Sequence, residues 1–237
     1  MIRALAVLFA FFPNLVMAQD VELELVLMAD ASGSIDAAEI EFQRQGYATA
    51  FQDPAVLGAI ANSAYGRIAV TYVEWAAAGA EDVVVPWRIV DGPESAAAFA
   101  AEFEGKPRRA FGRNSIGSAL IFGTQLIETN QFEGWRKVID FSGDSANNWN
   151  GPSIAEGRGA ALAAGITING LPILCRSCSR PGFGDLEQLY EDRIIGGPGA
   201  FVITADGMES LADAIRRKLI LEIGGTMPQR ELAAHTR

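Results

Sequence analysis

The chain has 237 residues, a hydrophobic share of 49% and a formal net charge of -10 at pH 7, from 29 acidic against 19 basic side chains. That length and apolar content suffice for one domain with a full core. The acidic balance disfavours nucleic acid or an anionic membrane as partner, because both repel such a chain at range.

Residues 1–18, MIRALAVLFAFFPNLVMA, combine a basic start at Arg3, an apolar stretch and small or aliphatic residues at Val16 and Ala18. This is the pattern of a secretory signal peptide cleaved after Ala18. A membrane anchor is the alternative, but Pro13 and Asn14 interrupt an apolar run already shorter than the ~20 residues a spanning helix needs. One domain is expected over 19–224, with a flexible tail over 225–237 and a periplasmic or secreted location and no membrane insertion.

Strands are predicted over 23–29, 67–75, 83–90, 137–142, 167–174 and 200–204, several near-continuous in Val, Ile, Leu and Phe, as for strands covered on both faces. Pro86 cannot donate to a ladder, which puts 83–90 at a sheet edge, paired with the preceding strand through the turn near Gly79. Helices are predicted over 37–51, 115–128, 153–164 and 208–223. Ile40, Tyr47 and Phe51 share one face of the first; Ile116, Leu120 and Ile127 do so on the second, and Leu211, Ile215 and Leu219 on the last. Gly165 suits a helix C-terminal cap, and Arg216, Arg217 and Lys218 suit the negative end of the last helix. The alternation of the two kinds of element implies an α/β layer architecture.

Three polar segments follow from this arrangement. Asp30, Ser32 and Ser34 alternate directly after the first strand, with Gly33 letting the loop fold tightly. Asp144 follows the strand over 137–142 in DFSGDSANN, with Ser145, Asn147 and Asn148 beyond it, and Asn114 and Ser115 precede the helix over 115–128. In open α/β sheets the ligand crevice lies beyond the carboxyl ends of the strands, where these loops can meet. Hydroxyls with a carboxylate are donors for a hard divalent cation. A turn with a helix cap explains D-x-S-x-S equally well. An EF-hand does not, because the sixth residue counted from Asp30 is Ile35 where that loop needs glycine, although Glu41 falls at the twelfth.

The loop at Asp30, Ser32 and Ser34, the IGSAL helix start and the strand-end Asp144 resemble the metal-ion-dependent adhesion site of von Willebrand factor A domains. ADASGSID, IGSAL, DFSGDSANN and IIGGPGAFV further resemble a group of exported bacterial A-like proteins of unknown function. The resemblance implies a von Willebrand A-like, Rossmann-like open sheet, mostly parallel, with one antiparallel edge strand and helices on both faces. It implies that both serines ligate a metal, Mg²⁺ or else Mn²⁺ or Ca²⁺, with Asp30 and Asp144 often acting through water. Asn114 stands where the family has threonine, and Ser115 is the alternative. Asp36 and Glu39 are read as helix-dipole acids. The function implied is a binding module that captures a carboxylate of a protein partner, without catalysis.

Enzyme readings are a metal-dependent hydrolase and a redox protein using Cys175 and Cys178. Against a serine hydrolase, the single histidine is His235 near the end of the tail, and no G-x-S-x-G occurs. The cysteines, in LCRSCSR, are read first as a local disulfide loop, with redox and zinc roles as alternatives. Nucleotide binding lacks both G-x-G-x-x-G and a P-loop, and GGPGAF is read as a turn. Trp75, Trp87, Trp135 and Trp149 are read as packing residues, Trp149 least so because it follows the Asp144 loop. Lys106, Arg108, Arg109 and Arg113 form a basic cluster that can steer an acidic partner toward the metal.

Overall fold

The computed structural model describes residues 18–174 and 186–225. Cys175 and Cys178, residues 1–17 of the expected signal peptide, and 226–237 with His235 lie outside the described residues. In chain order the elements are β1 (Gln19–Asp30), α1 (Ala37–Phe51), α2 (Pro54–Ala61), β2 (Ile68–Trp75), β3 (Asp82–Val90), α3 (Pro93–Ala101), α4 (Ile116–Glu128), β4 (Phe132–Gly143), α5 (Ile154–Ala163), β5 (Thr167–Pro172), α6 (Leu186–Arg193) and α7 (Met208–Gly224).

The strands form one sheet in the order β3-β2-β1-β4-β5. β1 runs parallel to both β2 and β4, β4 is parallel to β5, and β3 is the antiparallel edge. Thr71 Oγ1 donates to Val85 O at 2.8 Å across the β2–β3 pair, where the register shifts. Because side chains alternate along a strand, β1 feeds two cores. Leu23, Leu25 and Leu27 pack with α1, α2, α3 and α7 on one face, and Val26 and Met28 pack with α4, α5 and α6 on the other.

Capping explains several helix starts. Asp36 accepts from the amides of Ala38 and Glu39 while Glu39 returns to the Asp36 amide, a capping box. Asp53 caps α2 with Pro54 in the first turn, and Ser153 forms a capping box with Glu156 at α5. The close approach of α4 to α5 depends on Gly117, where a Cβ would sit 2.2 Å from Pro152 O and 2.3 Å from Ser153 O.

Several elements differ from their sequence-based ranges. β1 and β4 begin earlier, because Gln19 pairs with Phe132 and the ladder continues through polar residues. The segment 200–204 is no regular strand: Val202 makes an isolated bridge to Gly170 of β5, Ala205 just beyond makes another to Ile173, and the preceding Gly197 and Gly199 hold positive φ. Helices α2, α3 and α6 had no sequence forecast, being short and carrying few buried side chains each. Lys218 does not complement the α7 dipole from the surface. Its side chain is fully buried between Asp140 and Glu222, at 2.8 and 2.5 Å. Trp75 is buried as expected, but Trp135 is 77% exposed and packs in neither core.

Candidate metal site

The sheet order reverses at β1, whose neighbours are β2 and β4, so the crevice of an open α/β sheet falls at its carboxyl end. Met28 pairs with Phe141 in the β1–β4 register, which brings Asp30 level with the 143–144 corner. Asp30 is fully buried; its Oδ1 accepts from the Ser32 amide at 2.7 Å, and its carbonyl accepts from Gln43 Nε2 at 3.0 Å. Ser32 is buried and Ser34 exposed, with their hydroxyl oxygens 3.2 Å apart. Asn114 Nδ2 stands 3.5 Å from Asp30 Oδ2. Asp144 is half-buried, and its Oδ1 is enclosed with no hydrogen-bond partner among the described residues.

Burial first, and then the charge of Asp144, raise the Asp30 carboxyl to about 7, against the hydrogen bond from the Ser32 amide. Burial is also the main cause that raises Asp144. The two acids therefore face one another in a low-dielectric corner, with no lysine or arginine paired to either among the described residues. Two carboxylates, two hydroxyls and the Asn114 side-chain amide, with its NH2 toward Asp30, converge there, and one carboxylate oxygen is left over. That donor set fits a hard divalent cation, which prefers oxygen ligands and lowers the free energy of close carboxylates. No group of three His, Cys, Asp or Glu side chains gathers anywhere among the described residues, so the softer nitrogen and sulfur sites of zinc proteins are not formed there.

Ser115 points elsewhere. Its hydroxyl donates to Asn150 O at 2.7 Å and its amide to Ala76 O at 2.8 Å, which locks the start of α4 to two loops. Asn148 accepts from the Gly117 amide at 3.0 Å, and Ser145 accepts from the Asn147 amide at 3.1 Å, so the polar run after Asp144 shapes its own turn and the α4 start.

Five residues support the site in ways the sequence reading did not assign to them. Tyr190, on the unforecast α6, donates to Gly143 O at 3.0 Å, and Trp75 Nε1 donates to Ser142 O at 3.2 Å. Gly143 itself is required, because a Cβ there would lie 2.9 Å from Asp30 Oδ2 and 3.0 Å from the Tyr190 hydroxyl. Gln43 holds the Asp30 carbonyl from α1. Arg108 was read only as surface charge, yet its guanidinium donates to Ala31 O at 2.5 Å, to Ser32 O and Ile35 O at 3.0 Å, and to Ala110 O at 3.0 Å. It thereby binds the D-x-S-x-S loop to the segment before Asn114.

Solved structures share this fold. The proximal thread matrix protein 1 of the mussel byssus, in a form with a zinc-occupied MIDAS motif, matches with a TM-score of 0.59 at 16% identity over 87% of this chain and 49% of that one. A von Willebrand factor type A protein from Catenulispora acidiphila matches with a TM-score of 0.59 at 16% identity, over 86% of this chain and 43% of that one. The vWF domain of the type V pili tip protein Mfa5 from Porphyromonas gingivalis matches with a TM-score of 0.56 at 9% identity, over 88% of this chain and 98% of that one. The chain thus spans less than half the length of the mussel and Catenulispora proteins. No curated protein matches it. The family described as "protein of unknown function (DUF1194)" matches residues 20–227. The chain belongs to that family, and its fold is that of a von Willebrand factor A-like domain.

Proposed function

We propose that this protein is an exported binding module that holds a divalent cation among Asp30, Ser32, Ser34, Asn114 and Asp144 and captures a carboxylate of a protein partner there. The observation that carries this reading is the convergence of three loops at one sheet edge: the serine hydroxyls 3.2 Å apart, Asn114 3.5 Å from Asp30, and the unpartnered Asp144 Oδ1. Asn114 is the third-loop donor in this proposal, and Ser115 positions that loop through Asn150. Bound there, the cation supplies an electrophilic vacancy for an outside carboxylate, because neutral hydroxyls leave its charge incompletely compensated. Asp30 and Asp144 orient the ligands and balance the charge; Ser34, the exposed donor, borders the open side.

Neighbours of the same fold supply support of a coarser kind: one has zinc in its MIDAS motif and another is a pilus tip protein. They favour adhesion over catalysis and an exported location. No helix among the described residues is long and apolar enough to cross a membrane. Titration calorimetry of the purified chain with Mg²⁺, Mn²⁺ and Ca²⁺, beside Ser32→Ala and Asp144→Ala, tests the reading. Saturable heat that both variants weaken upholds it; equal heats in wild type and variants, or none at millimolar metal, refute it.

A further inference from the structure

The metal loops are bordered by a rim of cationic and aromatic side chains. Phe111 and Trp149 are 58% and 56% exposed. Both are tied to the site loops: the Trp149 amide donates to Asn114 O at 2.8 Å, and Gly112, next to Phe111, accepts from the Gly33 amide at 2.8 Å. Arg108 lies 4.9 Å from the Phe111 ring centroid and Arg113 only 3.5 Å from that of Trp149. The two arginines differ in what they have free. Arg108 commits its donors to four backbone carbonyls. The side chains of Arg113, Arg109 and Lys106 have no hydrogen bond and no carboxylate partner among the described residues. Elsewhere Arg44, Arg88, Arg136, Lys137 and Arg216 are paired with acids. A chain of net charge -10 therefore gathers exposed, unpaired cations beside its proposed metal site.

We infer that this rim recognises the flanks of the captured group, so that the partner is an acidic polypeptide segment with an apolar side chain next to its metal-seeking carboxylate. The inference rests on the metal site proposed above and adds the sequence preference around it. Free guanidinium groups at Arg109 and Arg113 match carboxylates in fork geometry, and the uncovered surfaces of Phe111 and Trp149 accept an apolar side chain. With Arg113 stacked on one face of Trp149, the ring is no open platform for a sugar. Asp36 and Glu39, which reach the surface at the start of α1 immediately after the first metal loop, and the overall negative charge disfavour a dense polyanion more than a short acidic peptide, because the repulsion grows with the charge of the ligand.

The test is titration calorimetry of the full chain, in Mg²⁺ or Mn²⁺, with three synthetic peptides that share a central Asp: one flanked by Glu and Leu, one by Ser and Gly, one by Lys and Leu. The acidic peptide is expected to bind about tenfold tighter than the neutral one, equivalent to ~1.4 kcal/mol, and the basic peptide more weakly than either. Arg109→Gln with Arg113→Gln erases that order while the variant still binds the metal alone, and Trp149→Ala reduces the gain from Leu. Equal affinities for the three peptides, or an order that survives the double variant, overturn the inference but leave the metal site standing. Inorganic polyphosphate binding more tightly than the acidic peptide, and lost in the double variant, overturns it in favour of a polyanion surface. Absence of heat with the metal alone removes the underlying site, and the inference with it.

Discussion

Lys218 Nζ on α7 lies 2.8 Å from Asp140 Oδ1 on β4, and both side chains are enclosed between helix and sheet. Glu222, one turn further along α7, contacts the same ammonium at 2.5 Å and accepts from Asn169 Nδ2 at 2.9 Å. Two acids thus share one lysine in the interior. Removing that lysine leaves buried negative charge uncompensated, for which the cost is about 3–5 kcal/mol. Lys218→Ala is expected to lose that much stability in urea unfolding. Lys218→Met combined with Asp140→Asn and Glu222→Gln is expected to recover most of it.

The same cluster makes stability depend on pH. Burial, followed by the charge of Asp140, raises Glu222 from 4.5 to about 7. The folded state then binds a proton more tightly than the unfolded chain, so its contribution is full below 4.5 and is lost as pH rises toward 7. Asp30 and Asp140 are raised as well and act in the same direction. Glu222→Gln is expected to flatten the fall in melting temperature between those pH values and to stabilise the protein at pH 8 by about 1–2 kcal/mol. An unchanged slope contradicts this account.

Arg108 holds four backbone carbonyls, three of them at or next to the D-x-S-x-S loop. Arg108→Ala is expected to weaken Mg²⁺ or Mn²⁺ binding about 10–100-fold, the usual loss for a group that orients metal ligands. Arg108→Lys is expected to restore little, because one ammonium cannot reproduce a planar fork of donors. Calorimetry of the three proteins checks both statements.

Ser32 and Ser115 are chemically identical and differently placed. Ser32→Ala removes a donor facing Ser34 and is expected to reduce metal affinity with little change in melting temperature. Ser115→Ala removes the bond to Asn150 O and is expected to lower stability by about 1 kcal/mol while metal affinity changes far less. A larger loss of metal binding in the second variant would exchange their roles.

Gly117 lies where α4 meets the loop before α5, and a Cβ there would stand 2.2 Å from Pro152 O. Gly117→Ala is expected to destabilise by about 3 kcal/mol, since backbone at that distance has to move. Thermal unfolding measures it, and a change below about 0.5 kcal/mol, the ordinary range for a surface substitution, rejects the contact.

Apolar runs and their spacing were enough to place the five strands of the sheet, the edge position of β3 and the faces of α1, α4 and α7. Alternation and helical periodicity are local consequences of burying one side of an element. The D-x-S-x-S loop and Asp144 were legible for the same kind of reason, since a polar residue that directly follows a buried strand has to reach the sheet edge. Helices α2, α3 and α6 were not, because their short lengths bury only a few side chains each and carry little period. Their absence from the sequence reading also hid Tyr190 beneath the site.

The sequence by itself determined the α/β class, the order of most elements and which loops carry oxygen donors, all properties of residues near one another along the chain. Only the tertiary structure decided that Asn114 and not Ser115 turns toward Asp30, that Arg108 is fastened to the first loop while Arg113 stacks on Trp149, and that Lys218 lies inside. Those outcomes depend on contacts between segments tens of residues apart, where the low dielectric of the interior and the direction of each side chain select the partner. Composition and spacing carry neither quantity.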